Sequence, residues 1–183
     1  MDSSEYAKNF KLQFLNNVMT IEKVEVIDKK FRVLKIVSRA EAIKKNLKEN
    51  VVLIIVKNSK NQFYIHQRNK IKKIFPLRWV TGAGGGVLAG ESFDDAAKRE
   101  LKEELGITSP IKYLFDFDYK TDINNYKAKV YFCIYDGKIN LNKKECEKGC
   151  WVSKQGLKKY IKSRLLCPDT ALYTQKYLEE FDQ

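Results

Sequence analysis

Residues 84–107, GGGVLAGESFDDAAKRELKEELGI, constrain the fold of this chain more than any other segment. They join a glycine-rich turn to a helix, because Ser92 is a natural helix start and Gly106 a natural stop. We therefore predict a helix from Ser92 to about residue 105. Its apolar side chains recur every fourth residue, which is the spacing of a helix that docks on a sheet. They are Phe93, Ala97, Leu101 and Leu105.

The same helix gathers three carboxylates beside its apolar stripe. At about 100° per residue, Glu100, Glu103 and Glu104 fall within an arc of about 100°. Arg99 reaches Glu103 one turn away, so we expect at least two carboxylates to be short of a cation. A solvated, charged helix is the ordinary alternative. The uncompensated charge instead favours a site for Mg²⁺ or Mn²⁺, which prefer carboxylate oxygens.

The glycine segment does not match the common phosphate-binding loops. A dinucleotide-binding G-x-G-x-x-G that starts at Gly82 needs a glycine where the chain has Val87. Residues 85–92 have the spacing of a P-loop, but Glu91 stands in place of its lysine. A carboxylate there would repel phosphate, which excludes an ATPase loop. Any phosphate that approaches these acids must therefore be bridged by a metal ion.

Composition indicates one globular domain. The chain has 183 residues and 44% hydrophobic content, which is enough for a packed core. Its longest apolar run, residues 51–56, is far shorter than the roughly 20 residues of a membrane span. The first ten residues lack the basic and apolar pattern of a secretory signal. We therefore expect a cytoplasmic protein with no membrane partner.

The cysteine spacing and the net charge only partly indicate what the chain binds. The cysteine pair in CEKGC, residues 146–150, is a weak zinc candidate, because no second pair follows and His66 is the only histidine. Four reduced cysteines are the simpler interpretation. The net charge of +12 attracts nucleotides, diphosphates or nucleic acid, although lysine can equally serve solubility alone.

The remaining pattern predicts an α/β (α+β) fold with a mixed sheet between helices. A hairpin comes first, and Ser38 can cap a short helix after it. Two amphipathic helices are expected at 154–163 and 169–181. We place a single domain at 21–183, behind an N-terminal arm at 1–20. Strands are predicted at 21–28, 31–39, 51–58, 63–69, 111–120, 126–137 and 150–153.

Together these features resemble an intact Nudix box spanning residues 85–107. The resemblance implies an α/β/α sandwich in which the box forms a loop, a helix and a loop. It also implies a hydrolase that uses Mg²⁺ or Mn²⁺ to cleave a nucleoside diphosphate linked to another moiety, X. The fixed positions of the box are matched by Gly85, Glu91, Arg99, Glu100, Leu101, Glu103, Glu104, Gly106 and Ile107.

Roles follow from the resemblance position by position. Glu100, Glu103 and Glu104 resemble the metal ligands, and Glu103 is the favoured base for deprotonating water. Arg99 resembles the arginine that pairs with and orients the glutamates. Glu91 resembles the acid that braces the loop and can join the metal network. These residues are therefore the candidates for metal binding and catalysis.

Substrate contacts are expected on the strand and loop before the box. Arg68, Lys70 and Lys73 are candidates for neutralising the diphosphate, with surface solubility as an equal alternative. Gly85 and Gly86 would let the backbone approach the diphosphate closely. The partner implied is thus a small-molecule diphosphate, with a nucleotide favoured.

Two further residues have open roles. Trp79 is a candidate for stacking a nucleobase, although a position in the core or at the rim is favoured. Glu145, on a loop before the last strand, is a second candidate base, because a distal loop glutamate has that role in some Nudix enzymes.

Flanking segments are similar to the isopentenyl-diphosphate isomerase-like branch of the family. Isomerases of that branch carry a cysteine after the tryptophan and several histidine ligands. Here VTGAGGG follows Trp79 and His66 stands alone, so we expect a hydrolase without isomerase activity. A Nudix-fold module that binds or acts on RNA is the remaining alternative. It is not favoured, because no stripe of aromatic and basic residues is evident. The sequence leaves X and the oligomeric state open.

Overall fold

The computed structural model describes residues 22–182, so the arm expected at 1–20 lies outside the described residues. Nine strands lie within the described part of the chain, and their bounds differ from the predicted ones mainly at the ends. They are β1 (Lys23–Ile27), β2 (Val33–Ser38), β3 (Glu49–Lys57), β4 (Phe63–Arg68), β5 (Trp79–Thr81), β6 (Ala83–Gly86), β7 (Lys112–Lys120), β8 (Asn125–Ile134) and β9 (Cys146–Val152).

The helices begin where the sequence offers caps. The Ser92 hydroxyl accepts a hydrogen bond from the backbone N–H of Asp95 at 3.1 Å, and Gly106 ends that helix with a φ of 67°. Ser38 and Ser153 cap two other helices in the same way. The predicted start and stop signals are therefore confirmed. Residues 22–182 contain α1 (Arg39–Lys44), α2 (Phe93–Leu105), α3 (Lys154–Lys162) and α4 (Pro168–Glu180).

Strand β3 organises the sheet. It runs parallel to β8 along its whole length and antiparallel to β6 over Val51 to Ile54. The β1–β2 hairpin joins β3 at one end and β4 joins it at the other, while β7 lies outside β8. Strands β5 and β9 flank β4. This is the mixed sheet with an N-terminal hairpin that the sequence predicted.

The two faces of β3 pack against different helices, because successive side chains of a strand point to opposite faces. Val52, Ile54 and Val56 pack in a core with α2. Val51, Leu53 and Ile55 belong to a second core with α3 and α4. Helices therefore cover both faces of the sheet, and the α/β/α sandwich is confirmed.

The prediction of a glycine-rich turn was wrong for part of its length. Residues 83–86 form strand β6, in which Gly85 pairs with Val52 and Gly86 with Val51. These residues are extended rather than turned because they form a ladder of backbone hydrogen bonds with β3, and α2 packs close above them. The loop of the box begins only after Gly86.

The last strand is longer than predicted. We expected it at 150–153, whereas β9 begins at Cys146 and pairs with β4 from Arg68 to Phe63. The cause is its partner, because β4 offers a full-length edge to this segment. Cys146 is buried, Cys150 is exposed, and both are free thiols. Within residues 22–182, no helix has the length and apolar character needed to cross a membrane.

Candidate active site

Helix α2 carries its acids at the border between core and solvent. Its apolar stripe is buried against β3 as predicted, including Ala97, Leu101 and Leu105. Glu100 and Glu104 lie beside that stripe and are only 7% and 8% exposed. The side chain of Glu103 is 54% exposed. The three carboxylates thus share one side of the helix but differ sharply in their contact with water.

Arg99 connects most of these acids. Its Nη1 donates to Glu100 Oε1 at 2.7 Å and to Glu103 Oε2 at 3.3 Å. Its Nε and Nη2 donate to the two carboxylate oxygens of Glu91, each at 2.9 Å. Nη2 also donates to the carbonyl of Gly86 at 2.9 Å. The expectation that at least two of the three carboxylates would be short of a cation was wrong, since a guanidinium offers five donors and reaches both Glu100 and Glu103.

Glu91 holds the loop of the box in place. Besides the pair with Arg99, its Oε2 accepts a hydrogen bond from the backbone N–H of Leu88 at 3.0 Å. The hydrogen bonds from Arg99 hold the pKa of Glu91 below its ordinary value, against the effect of burial. An ionised Glu91 therefore ties the loop after β6 to helix α2, in the bracing position that the resemblance implied.

Glu104 is the acid that lacks a cation. Its Oε2 accepts a hydrogen bond from the backbone N–H of Gly84 at 3.2 Å, and it forms no ion pair with the described residues. Burial, followed by the nearby charge of Glu100, raises the pKa of Glu104 to about 8. Burial also raises the pKa of Glu100, although Arg99 and Arg39 oppose the shift. Both buried carboxyls would be relieved by an added positive charge.

Strand β6 leaves room for these carboxylates because it lacks side chains. A Cβ at Gly85 would lie 2.2 Å from Oε1 of Glu100. A Cβ at Gly86 would lie 2.8 Å from Nε of Arg39. Glycine is therefore needed at both positions for the acid of α2 and the guanidinium of α1 to approach the strand backbone.

A cleft opens beside β6 and has a volume of about 1230 Å³. Arg68 and Lys73 line it, as does Lys72, which the sequence reasoning did not select. Arg68 also donates from Nη2 to the carbonyl of Ile74 at 3.0 Å and so shapes the loop. Lys70 is exposed and lies outside the lining. The structure thus brings two of the three predicted basic residues to the cleft.

Glu145 and Trp79 take different positions. Glu145 forms an ion pair with Lys72, and its charge contributes to the raised pKa of Glu104, so it lies at the acid end of the cleft. Trp79 packs edge-on against Tyr160 with 5.4 Å between ring centroids and sits at the edge of the core with α3. This is the rim position that the sequence reasoning favoured.

The comparison with known families agrees with this geometry. The model of the NUDIX domain matches residues 47–166, which is more than half of the chain. The chain belongs to the Nudix family. It is a Nudix hydrolase, and the matched region runs from the start of β3 to the end of the segment before α4.

Individual relatives support the same assignment. An uncharacterised Nudix hydrolase of Pseudomonas aeruginosa is 28% identical over 86% of this chain and 94% of its own length. Another, of Yersinia pestis, is 26% identical over 75% of this chain and 76% of its own. A crystal structure from Deinococcus radiodurans superposes with a TM-score of 0.73 at 22% identity and covers 85% of this chain and 98% of that one. This last likeness shows the Nudix fold.

The acids of this Nudix box suit a hard divalent cation. Glu100, Glu103 and Glu104 offer carboxylate oxygens from one side of a helix, and the buried Glu104 has only a backbone N–H as partner. Within residues 22–182, no three acidic, histidine or cysteine side chains converge tightly enough to enclose an ion. Arg99 explains this, because it draws Glu100 and Glu103 toward itself. The chemistry of the donors fits, although their present arrangement is set by Arg99.

Besides Lys72, the sequence reasoning missed a buried ion pair in the Nudix cleft. Arg39 of α1 lies with its Nε 3.8 Å from Oε2 of Glu49, and neither atom has a hydrogen-bond partner within the described chain. Burial opposes the charge of Arg39, but Glu49 and Glu100 outweigh it and raise the pKa of Arg39. No local pattern marks these residues, because they meet only when β3 pairs with the N-terminal hairpin.

Proposed function

We propose that this Nudix hydrolase cleaves the diphosphate linkage of a nucleoside diphosphate–X substrate and requires Mg²⁺ or Mn²⁺. The observation that carries the proposal is the meeting of buried acids and basic groups at one cleft. Glu104 and the glycine backbone of β6 line the same cleft as Arg68, Lys72 and Lys73. Such a site suits an anionic substrate that arrives with a cation.

The metal would be held by Glu100, Glu103 and Glu104, and when bound it would neutralise the diphosphate and make a water molecule more acidic. Arg99 keeps Glu91 and the loop of the box in register with these ligands. Of the two glycines predicted to admit the diphosphate, Gly85 lines the cleft beside Gly84, with the Glu100 carboxylate next to it, and Gly86 lies outside the lining. We expect the substrate phosphates to approach the backbone of Gly84 and Gly85.

A base must accept the proton of the attacking water. Glu103 is the favoured residue, because it is the most exposed of the three acids. Its contact with Arg99, at 3.3 Å, is also longer than the contact between Arg99 and Glu100. Glu145 is the second candidate, since it lies at the acid end of the cleft, although its carboxylate is engaged by Lys72. Arg68 and Lys73 would neutralise the phosphates from the loop side of the cleft.

A hydrolase of the isomerase-like branch is the assignment we favour within the family. His66 is only 2% exposed, and burial lowers its pKa to about 3. It is therefore a neutral residue of the interior rather than a proton donor in the cleft. This supports hydrolysis over isomerisation of isopentenyl diphosphate, for which an acid is needed.

The RNA-binding alternative receives less support. The most exposed aromatic side chains of residues 22–182 are Phe31, Tyr113 and Phe181. They lie in the hairpin turn, on β7 and after α4, and so do not form one platform on which successive bases could stack. A small-molecule diphosphate remains the proposed partner.

A phosphate-release screen tests the proposal. Wild-type protein would be assayed with Mg²⁺ and with Mn²⁺ against nucleotides, nucleotide sugars, dinucleotides and prenyl diphosphates. We expect metal-dependent release from at least one nucleoside diphosphate compound and no conversion of isopentenyl to dimethylallyl diphosphate. Salt-sensitive retention of RNA without turnover of any diphosphate would contradict the proposal and favour the binding module.

A further inference from the structure

The cleft extends well beyond the acids of the Nudix box. Its volume of about 1230 Å³ exceeds the range of roughly 300–1,000 Å³ that encloses a drug-sized ligand. From Gly84 the lining passes over Val51 and Leu53 of β3 and reaches Tyr126 and Asp169. There is therefore room for a second group next to the diphosphate, and this group would contact residues that the metal does not.

Tyr126 and Asp169 form the far end of the cleft. The Tyr126 hydroxyl donates to Oδ2 of Asp169 at 2.6 Å, and the backbone N–H of Thr170 donates to Oδ1 at 2.8 Å. Burial and the adjacent Asp169 carboxylate raise the pKa of Tyr126, so the tyrosine keeps its proton. A carboxylate accepts about four hydrogen bonds, so this one retains capacity for donors from a ligand.

Asp169 has no counter-ion in the described structure. No lysine or arginine of residues 22–182 forms an ion pair with it. Among the other acids that line the cleft, Glu22 and Glu49 pair with Arg39 and Glu41 pairs with Lys45, while Glu104 has no ion pair but lies near the charge of Lys72. An unpaired carboxylate repels phosphate and attracts hydrogen-bond donors. The two ends of the cleft therefore differ in what they can bind.

The sheet fixes the separation of the two ends. Tyr126 of β8 pairs with Glu49 on one side of β3, and Gly84 and Gly86 of β6 pair with Leu53 and Val51 on the other. The lateral separation of β8 and β6 is two strand spacings, roughly 10 Å, and the register adds the rise along β3 from Glu49 to Leu53 between Tyr126 and Gly84. A ligand group at Asp169 therefore lies clear of a diphosphate held at β6.

We propose that Asp169, oriented by Tyr126, binds the non-phosphate end of the substrate through hydroxyl or N–H donors. This inference rests on the proposed function and assigns the side chains that would contact the nucleoside of its substrate. A nucleoside supplies such donors from its ribose or its base, and a prenyl chain supplies none. The carboxylate thus selects for a hydroxylated or amine-bearing moiety and orients it with the phosphates toward α2.

Binding to non-hydrolysable analogues separates this inference from the proposed function. Calorimetry with Mg²⁺ would compare methylenediphosphonate, which has no nucleoside, with the α,β-methylene analogues of four nucleoside diphosphates. Wild-type protein should bind at least one nucleoside analogue about tenfold or more tightly than the bare diphosphonate. Asp169→Asn should weaken that analogue about ten- to hundredfold, as expected for a hydrogen bond to a charged group. It should leave methylenediphosphonate binding unchanged.

Two further variants complete the test. Tyr126→Phe should weaken the nucleoside analogue less than Asp169→Asn does, because it frees Asp169 without removing it. Glu180→Gln removes the same charge from the exposed end of α4, the helix that carries Asp169. It should change the affinity for neither ligand. The 2′-deoxy form of the tightest analogue identifies the donor. A loss equal to that of Asp169→Asn assigns the 2′-hydroxyl of the ribose, and full retention assigns the 3′-hydroxyl or a base N–H.

The contrary outcomes are distinct. If methylenediphosphonate does not bind with Mg²⁺, the proposed function fails. If it binds but every nucleoside analogue binds no more tightly, or Asp169→Asn binds the nucleoside analogue as wild type does, the inference about Asp169 fails alone. Equal losses for both ligands in a variant that still unfolds cooperatively would also overturn it, because they indicate a general effect on the cleft.

Discussion

Helix α2 and the far end of the cleft both carry carboxylates, but the charge of these carboxylates is balanced differently. On α2, Arg99 contacts Glu91, Glu100 and Glu103, so one guanidinium holds three acids. At the far end, Asp169 is held by a tyrosine hydroxyl and a backbone N–H. The acids at α2 are held by a charged guanidinium, whereas Asp169 is held by uncharged hydrogen-bond donors. One cleft can therefore orient a substrate that is anionic at one end and neutral at the other.

The largest effect is expected on the α2 side. Glu103→Gln keeps the shape and helix propensity of the residue but removes its charge. We expect kcat to fall about 10²-fold or more while KM changes by only a few-fold, since a base or metal ligand acts chiefly in the transition state. Steady-state kinetics on the best substrate would measure both constants.

The control for Glu103→Gln must leave other contacts intact. Asp94 would be a natural choice on α2, but its Oδ1 accepts a 2.6 Å hydrogen bond from Tyr131. Glu180→Gln on α4 is better matched, because Glu180 is exposed. It should retain turnover within about twofold. Full activity of both variants would show that the acids of α2 do not catalyse the reaction.

Glu104 should make the metal-free protein sensitive to pH. Its pKa is raised from an ordinary 4.5 to about 8, so folding takes up a proton between these values. The stabilisation is fully present below about pH 4.5 and is lost as the pH rises through 8. Relative to Glu104→Gln, the free energy of unfolding of wild type should fall on the order of 2 kcal/mol between pH 6 and pH 8.

Urea denaturation in the presence of a chelator would measure this difference. Adding Mn²⁺ should abolish the fall in the free energy of unfolding of wild type, because a cation stabilises the ionised carboxylate. It should change the free energy of unfolding of Glu104→Gln less. If the free energies of unfolding of the two proteins change with pH in the same way without metal, Glu104 is not a buried acid with a raised pKa.

Arg39 lies between Glu49 and the α2 acid Glu100, because the charges of both carboxylates act on it. Arg39→Gln leaves Glu49 buried without its ion-pair partner, whereas Glu100 keeps its contact with Arg99. We expect a loss of about 1.5 kcal/mol in the free energy of unfolding, less than for a fully buried pair because the Arg39 side chain is 28% exposed. The double variant Arg39→Gln, Glu49→Gln should be more stable than Arg39→Gln alone.

The exposed Arg32 provides the comparison for Arg39. Its side chain is 72% exposed and pairs with Asp28 in the hairpin turn. Arg32→Gln should change the free energy of unfolding by no more than about 0.5 kcal/mol. If the double variant is as unstable as Arg39→Gln alone, the unpaired charge of Glu49 is not the cause of the loss.

The smallest effect concerns the strand that separates the two regions. Gly85→Ala places a methyl group where the Glu100 carboxylate lies, and that carboxylate must move away from Arg99. We expect a loss of about 1 kcal/mol in stability. Gly156→Ala, in helix α3, meets no atom closer than 3.4 Å and should instead gain about 0.5–1 kcal/mol. Thermal unfolding of the two variants should therefore shift in opposite directions.

Local sequence patterns predicted the α2 side of the site well. Periodicity placed Leu101 and Leu105 in the core and Glu100 and Glu104 beside it, because a helix fixes the direction of each side chain from spacing alone. Spacing did not show that Arg99 would reach Glu100 and Glu91. That outcome depends on the loop of the box folding back over the helix.

The far end of the cleft could not be predicted in the same way. Tyr126 and Asp169 come from β8 and α4, and they meet only when α4 packs on the sheet; Arg39 and Glu49 likewise meet only when β3 pairs with the N-terminal hairpin. The glycine strand was missed for a related reason, since glycine signals a turn unless a partner strand offers hydrogen bonds. Tertiary pairing, which no local pattern encodes, decided both cases.

We expect the acids of α2 to hold the metal that acts on the diphosphate. Crystals grown with Mn²⁺ and methylenediphosphonate would test this expectation through anomalous difference density. We expect an ion within about 3 Å of carboxylate oxygens from at least two of Glu100, Glu103 and Glu104, next to the bound diphosphonate. Diphosphonate in the cleft with no ion at these carboxylates would contradict it.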